Sequence, residues 1–188
     1  MYACFGKRIF DLFVVFCALF FLWPLILLVA FCIKTFDPGP VFFKQNRIGK
    51  EGSLFLFIKF RSMPVSTEDI PSDKVGTVKL TWIGRLIRRT NLDELPQLLN
   101  IARGEMSVVG PRPPIPSQQE LVEIRKRNGA LARLPGLTGL AQINSFDGMS
   151  VAQKAEYDGE YSKNVSFFND LKIILRTIVY LLKPPPVY

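Results

Sequence analysis

The chain has 188 residues, with 24 Lys or Arg against 16 Asp or Glu, a net charge of +8 and no histidine. That length allows one ordinary domain plus an attachment, and without imidazole there is no His metal site, His general base or Ser-His-Asp triad, so carboxylates, lysines and arginines must carry any chemistry. A positive mean hydropathy of +0.21 at a pI of about 9.6 describes a basic protein of membrane surfaces, whose partners are anionic head groups or phosphorylated substrates; no groove-reading or base-stacking motif supports nucleic-acid binding.

In chain order, the first element is LFVVFCALFFLWPLILLVAFCI, Leu12 to Ile33, about 22 residues without a charge and long enough to cross a bilayer, which takes about 20. An apolar core of this length with no small-residue cleavage site behind it is a retained segment and not a signal peptide. Pro24 at its midpoint removes a backbone donor and predicts a bend. Lys7 and Arg8 before it, and Lys34, Lys44, Arg47 and Lys50 after it, draw both ends toward the cytoplasm. A re-entrant hairpin satisfies both ends, and a kinked transmembrane helix is equally compatible with the residues. Cys4, Cys17 and Cys32 lie in or beside this stretch with no CxxC spacing, as apolar fillers in a reducing compartment.

DPGP at 37–40 is a turn, and VFFKQNRIG and LFLFIKFRSM around Gly49-Lys50-Glu51-Gly52 read as a β-hairpin. Residues 64–80 carry prolines and a glycine without a period and read as a loop. Short helices are expected at Trp82–Arg89 and Leu95–Ala102, the second closed by Arg103-Gly104. SVVGPRPPIP, 107–116, is a strand running into a proline-rich loop. A helix over Ser117–Asn128 ends at Gly129, and PGLTGLAQIN, 135–144, is a glycine-punctuated loop or strand. Ser150 caps a polar helix to Lys163. The last helix, from Phe167 to the stop at Pro184–Pro186, is apolar but carries Asp170, Lys172 and Arg176; it either packs in the core or lies in the membrane interface with its cations toward head groups.

The chemistry concentrates in RRTNLDELPQLLN, 88–100. Pro96 suits the first turn of a helix, so the helix starts near Asp93 and both Asp93 and Glu94 sit at its N-terminus. Their ordinary account is capping and dipole complementarity. Against it stand Arg88 and Arg89 just upstream, Arg112 in the GPRPP loop and Lys59-Phe60-Arg61 at the end of the hairpin. A carboxylate attacking phosphorus needs cations on the phosphate oxygens, and arginine supplies them as bidentate forks. Each cation alone is ordinarily a solvated charge; the set has meaning only if the fold assembles it.

Taken together, KRIFD (7–11), DPGPVFFKQNRIG (37–49), KFRSM (59–63), RRTNLDELPQLLN, SVVGPRPP and PGLTGLAQIN resemble the bacterial sugar transferases, the monotopic polyprenol-phosphate phosphoglycosyl transferases, over nearly the whole chain. The resemblance is greatest to small stand-alone members that serve protein N-glycosylation. It implies an α+β, mostly helical fold: a re-entrant membrane helix in residues 1–36 and a small interfacial catalytic domain with a short β-hairpin in 37–188. It also implies transfer of a sugar 1-phosphate from a UDP-sugar to undecaprenyl phosphate with release of UMP, at the cytoplasmic face of the inner membrane, through a covalent phospho-sugar on the Asp of an Asp-Glu pair. By this resemblance Asp93 is the nucleophile, Glu94 a Mg²⁺ ligand, and Arg88, Arg112 and Lys59 hold phosphate, with Asp158 an outlying candidate. The expected donor is UDP-N,N′-diacetylbacillosamine, with UDP-GalNAc, UDP-GlcNAc or UDP-galactose as alternatives. The family's helix breaks at a Ser-Pro pair, and this chain has Trp23-Pro24. A non-catalytic membrane adaptor would explain the anchor and the charge but not the ordered motifs.

Overall fold

The computed structural model describes residues 2–65, 80–144 and 148–181. After a π-helical turn at Tyr2–Gly6, helix α1 (Lys7–Phe36) runs unbroken through Pro24. Its residues are apolar on every side, and Phe13, Phe16, Phe20, Phe21, Trp23, Leu27, Leu28 and Phe31 are all exposed. By length and composition this helix can cross a membrane. Only Asp11, Val15, Val29 and Ile33 are buried along it, two near each end of the apolar stretch.

The expected hairpin forms from β1 (Phe42–Ile48) and β2 (Leu54–Phe60), antiparallel with Phe42 opposite Phe60 and Ile48 opposite Leu54. Helix α2 (Trp82–Arg89) matches its expected bounds and is capped by Thr81, whose Oγ1 accepts from Gly84 N at 3.1 Å. Gly84 sits so close to the end of the KFRSM segment that a Cβ there would meet the Ser62 carbonyl oxygen at 2.1 Å. The expected loop at 64–80 lies mostly outside the described residues, as does the proline stop at 184–186.

Helix α3 (Gln97–Arg103) ends at Gly104 in the left-handed region, φ 83°. The second sheet is a pair of three-residue parallel strands, β3 (Ser107–Val109) and β4 (Gly136–Thr138). The glycines of PGLTG permit this crossing, since a Cβ on Gly136 would meet Gly110 N at 2.1 Å. PGLTGLAQIN is thus a strand followed by a short helix, α5 (Leu140–Ile143). Between the two strands lies α4 (Gln119–Arg127), and after them come α6 (Val151–Lys163) and α7 (Phe167–Leu181). Ser150 closes a capping box with Gln153 at the start of α6.

Two apolar clusters hold these elements, and α1 contributes to both. Val15 packs with Phe55, Phe57, Leu98, Ile101, Met106, Val109, Tyr161 and Ile173. Val29 and Ile33 pack with Phe60, Ile83 and Ile87. Each such side chain, fully buried, contributes about 1.5–3 kcal/mol, enough to fix both halves of α1 to one body. Polar contacts reinforce the first half: Arg8 donates to the Ile101 and Ala102 carbonyls at 2.6 and 2.8 Å, and Asp11 accepts from Ser107 Oγ at 2.8 Å and Val108 N at 3.0 Å. At the far end Asp37 pairs with Arg61 at 3.2 Å. Helix α7 buries Asp170, which accepts from Tyr2, Lys7 and Tyr161, together with Ile173. It exposes Phe168, Leu175, Ile178 and Val179, an apolar face suited to a membrane interface more than to a core.

Candidate active site

The site forms where α2, the turn before α3, the end of β2 and the loop after β3 meet. Helix α2 stops at Thr90, and Asn91 adopts the left-handed conformation at φ 54°, which asparagine tolerates better than most residues. That reversal leads into a 3₁₀ turn at Leu92–Glu94, after which Pro96 takes the N-cap position of α3. The expectation that Asp93 and Glu94 open an α-helix is therefore corrected: they occupy a 3₁₀ turn ahead of it. In such a turn successive side chains diverge by about 120°. Asp93 turns inward, 7% exposed, while Glu94 stays at the rim and accepts from Arg112 Nη2 at 3.0 Å.

Lys59 comes from the end of β2, opposite Phe43, with its ammonium 5.4 Å from the Phe43 ring centre. Together with Arg88 at the end of α2 and Arg112, it lies close enough to Asp93 for their charges to bear on one another. Five of the residues singled out from the sequence, Lys59, Arg88, Asp93, Glu94 and Arg112, thus converge, giving three cations around two carboxylates. Burial pushes the Asp93 carboxyl up from 3.8 to about 6, with Lys59 opposing, Glu94 adding to the rise, and Arg88 and Arg112 opposing. Burial likewise pulls the Lys59 ammonium below its usual range, against the attraction of Asp93 and Glu94.

Two candidates lie elsewhere. Arg61 is buried against Asp37 and the Pro38 carbonyl at the end of α1. Asp158 is buried on α6 and bound to Arg125 of α4 at 2.5–2.8 Å, so its carboxylate is engaged there and not with the cations around Asp93. Residues that the sequence reading passed over hold the site in place. Asn100, fully buried on α3, accepts from Ile58 N at 3.1 Å and donates to the Leu56 carbonyl at 2.8 Å, which fastens the dyad's helix to the strand that carries Lys59. Arg125 sits in the run Arg-Lys-Arg and reads as a solvated helix end; the signal was its spacing from Leu121 and Val122, which places it on their buried stripe.

Among the described residues no group of three or more His, Cys, Asp and Glu could hold a metal by itself. The adjacent carboxylates of Asp93 and Glu94 make a set of hard oxygen donors of the kind Mg²⁺ takes, one or two at a time, completing its octahedron with water and substrate phosphate oxygens. Such a set does not suit a structural zinc, which takes four protein ligands.

An inward carboxylate ringed by cations, carried on a body fixed to a long apolar helix, fits a membrane-associated enzyme. The sequence model of the bacterial sugar transferases matches residues 2–184, and the chain belongs to that family; it is a transferase. It is 38% identical to the exopolysaccharide production protein ExoY of Sinorhizobium fredii, over 92% of this chain and 84% of that one. It is 39% identical to the UDP-glucose:undecaprenyl-phosphate glucose-1-phosphate transferase of Caulobacter vibrioides, over 88% of this chain and 65% of that one. It is 34% identical to the UDP-galactose-lipid carrier transferase of Erwinia amylovora, over 98% of this chain and 42% of that one.

Proposed function

We propose that this protein transfers a hexose 1-phosphate from a UDP-sugar to undecaprenyl phosphate, releasing UMP, by way of a phospho-sugar held covalently on Asp93. The observation that carries the reading is Asp93 itself, a nearly buried carboxylate with Lys59, Arg88 and Arg112 around it. In the first step a carboxylate oxygen of Asp93 attacks the phosphorus that bears the sugar; the bond to the bridging oxygen breaks and UMP leaves with that electron pair. In the second step a phosphate oxygen of the lipid attacks the same phosphorus, a diphosphate forms, and Asp93 departs as carboxylate. Dividing one transfer in this way lets the two substrates react in turn at one preformed site, with the cations offsetting the repulsion between anions in each step. Lys59, Arg88 and Arg112 stabilise the charge that builds on the phosphoryl oxygens. Glu94, with Asp93 beside it, is the residue to hold Mg²⁺, which when bound offsets the charge of the diphosphate.

The names of the relatives, UDP-glucose and UDP-galactose transferases and exopolysaccharide proteins, favour a UDP-hexose and polysaccharide assembly. UDP-N,N′-diacetylbacillosamine and a protein N-glycan find no support among them. The deciding experiment offers purified protein, Mg²⁺ and undecaprenyl phosphate in mixed micelles a panel of UDP-glucose, UDP-galactose, UDP-GlcNAc, UDP-GalNAc and UDP-N,N′-diacetylbacillosamine and measures UMP. A hexose should give the fastest release, and EDTA should stop it. With the preferred donor alone, intact mass spectrometry should find a phospho-sugar on the wild type and none on Asp93→Asn. If no adduct accumulates while turnover proceeds, the two-step route fails.

The same reading takes residues 1–36 as a re-entrant membrane helix and 37–188 as a catalytic domain on the cytoplasmic face of the inner membrane. Its support is that both ends of α1 are fastened to one body, through Arg8, Asp11 and Val15 at one end and Val29, Ile33 and Asp37 at the other. A helix apolar on all sides belongs in hydrocarbon and not along its surface.

A further inference from the structure

The loop that carries Arg112 has little of its own to hold it. Pro111, Pro113 and Pro114 have no N–H to donate, so the backbone of the segment is held largely through its carbonyls. Its four successive carbonyls are each taken by a donor: Pro111 by Gly136 N at 2.9 Å, Arg112 by Arg125 Nη1 at 2.8 Å, Pro113 by Arg47 Nη1 at 3.2 Å and Pro114 by Ile48 N at 2.9 Å. The first and last are backbone bonds from β4 and from the end of β1. The middle two come from arginine side chains on other elements: Arg125 takes the carbonyl next to the Arg112 Cα, from which the side chain departs toward Glu94, and Arg47 takes the carbonyl one residue further on.

Both arginines are themselves held. Arg125 is 2% exposed and gives Nε and Nη2 to one oxygen of Asp158 at 2.8 and 2.5 Å, which leaves Nη1 aimed at the loop. The Arg47 guanidinium lies 5.1 Å from the Phe57 ring centre, on the hairpin face that also bears Lys59. Contacts therefore run from α6 through Asp158 to α4, through Arg125 to the Arg112 backbone, and from the Arg112 side chain to Glu94.

We infer that Arg125, braced by Asp158, and Arg47 are positioning residues that set Arg112 against the Asp93-Glu94 turn by capturing the carbonyls of its loop. The inference rests on the proposed role of Arg112 in the site, and a double-mutant experiment separates the two. Arg125→Lys keeps the charge but lacks the fork that reaches Asp158 and the loop together; Arg47→Met keeps the packed stem and lacks the donor, and it stands in if Arg125→Lys does not fold. Each is made in the wild type and in Arg112→Ala, with folding checked by thermal melts and single-turnover adduct formation followed by intact mass, a readout that reaches slow variants. In the wild type each substitution should lower the adduct rate about tenfold and move kcat and KM in the proportions that Arg112→Ala moves them. In Arg112→Ala the same substitutions should cost less than about twofold, because the residue they position is gone. An equal loss in both backgrounds would overturn the inference while leaving Arg112 in the site. Wild-type rates in Arg112→Ala alone would overturn the role of Arg112 and the inference with it.

Discussion

Asp93 has to be ionised to attack phosphorus, and its burial works against ionisation. With the carboxyl pushed up to about 6, the rate of adduct formation should fall about tenfold per pH unit below that value and level off above pH 7. A rate that stays flat from pH 8 down to 4.5 would remove Asp93 from the role of nucleophile. The same shift has the opposite sense for stability. The folded value lies above the ordinary 3.8, so the folded chain holds this proton more tightly than the unfolded chain. The contribution is fully present below about pH 4 and is lost as pH rises through about 6. Asp93→Asn, neutral throughout, should abolish the adduct yet stabilise the protein at pH 7.5 by on the order of 2 kcal/mol. Thermal melts should find that gain disappearing at pH 4, where the wild-type carboxyl is protonated as well. That Lys59, Arg88, Asp93, Glu94 and Arg112 belong together was legible in the sequence because all five stand in the motifs that carry the family resemblance. Which charges pair with each other was not legible. Asp158 finds Arg125 across 33 residues and Arg61 finds Asp37 across 24, and no local pattern distinguishes a charge that meets a partner from one that meets substrate.

Helix α3 is short for an element that must hold a catalytic turn steady, and its stability comes from its neighbours. Arg8 of α1 takes the carbonyls at its C-terminal end, where a cation also meets the negative end of the dipole. Asn100 ties its middle to the free edge of β2 and also donates to Glu105 at 2.6 Å. Asn100→Leu, close in volume, would leave Ile58 N and the Leu56 carbonyl without these bonds in the interior. It should cost about 2–4 kcal/mol, read as a lower denaturation midpoint, and should slow adduct formation by loosening Lys59 against Asp93. Unchanged stability in that variant would mean that β2 finds other partners. Elements with strong local signals were readable in advance: the hairpin around Gly49–Gly52, α2 over Trp82–Arg89, α6 with its Ser150 cap, and the helix ends at Gly104 and Gly129. The β3–β4 pair was not, because three-residue strands have no period to detect and their pairing is set by backbone crossing at Gly110 and Gly136. The 3₁₀ turn at the dyad escaped for a related reason, since Pro96 marks where a helix can begin and is silent on the pitch of the turn before it.

For the molecule as a whole, the decisive question is on which side of the bilayer each end of α1 lies. A straight helix of this length measures about 45 Å at 1.5 Å per residue, more than the hydrocarbon core of about 30 Å, so length alone favours crossing. The attachments favour return. Asp11 is bound to Ser107 and Val108, while Ile33 is packed against the body that carries Ile83 and Ile87. Passing one end through the membrane would break one set and expose a buried carboxylate or an apolar cluster. The re-entrant reading therefore predicts that Ala3 and Thr35, both exposed beyond the two ends of the apolar stretch, lie on the same side. With Cys4, Cys17 and Cys32 replaced by alanine, Ala3→Cys and Thr35→Cys made singly should both resist a membrane-impermeant maleimide in intact spheroplasts and both react after permeabilisation. One position reacting in intact cells while the other is protected would mean that α1 spans. In that case the fastening of Arg8 and Asp11 to α3 and β3 could not coexist with that of Ile33 to α2, and the dyad would lose its link to the membrane helix at one end.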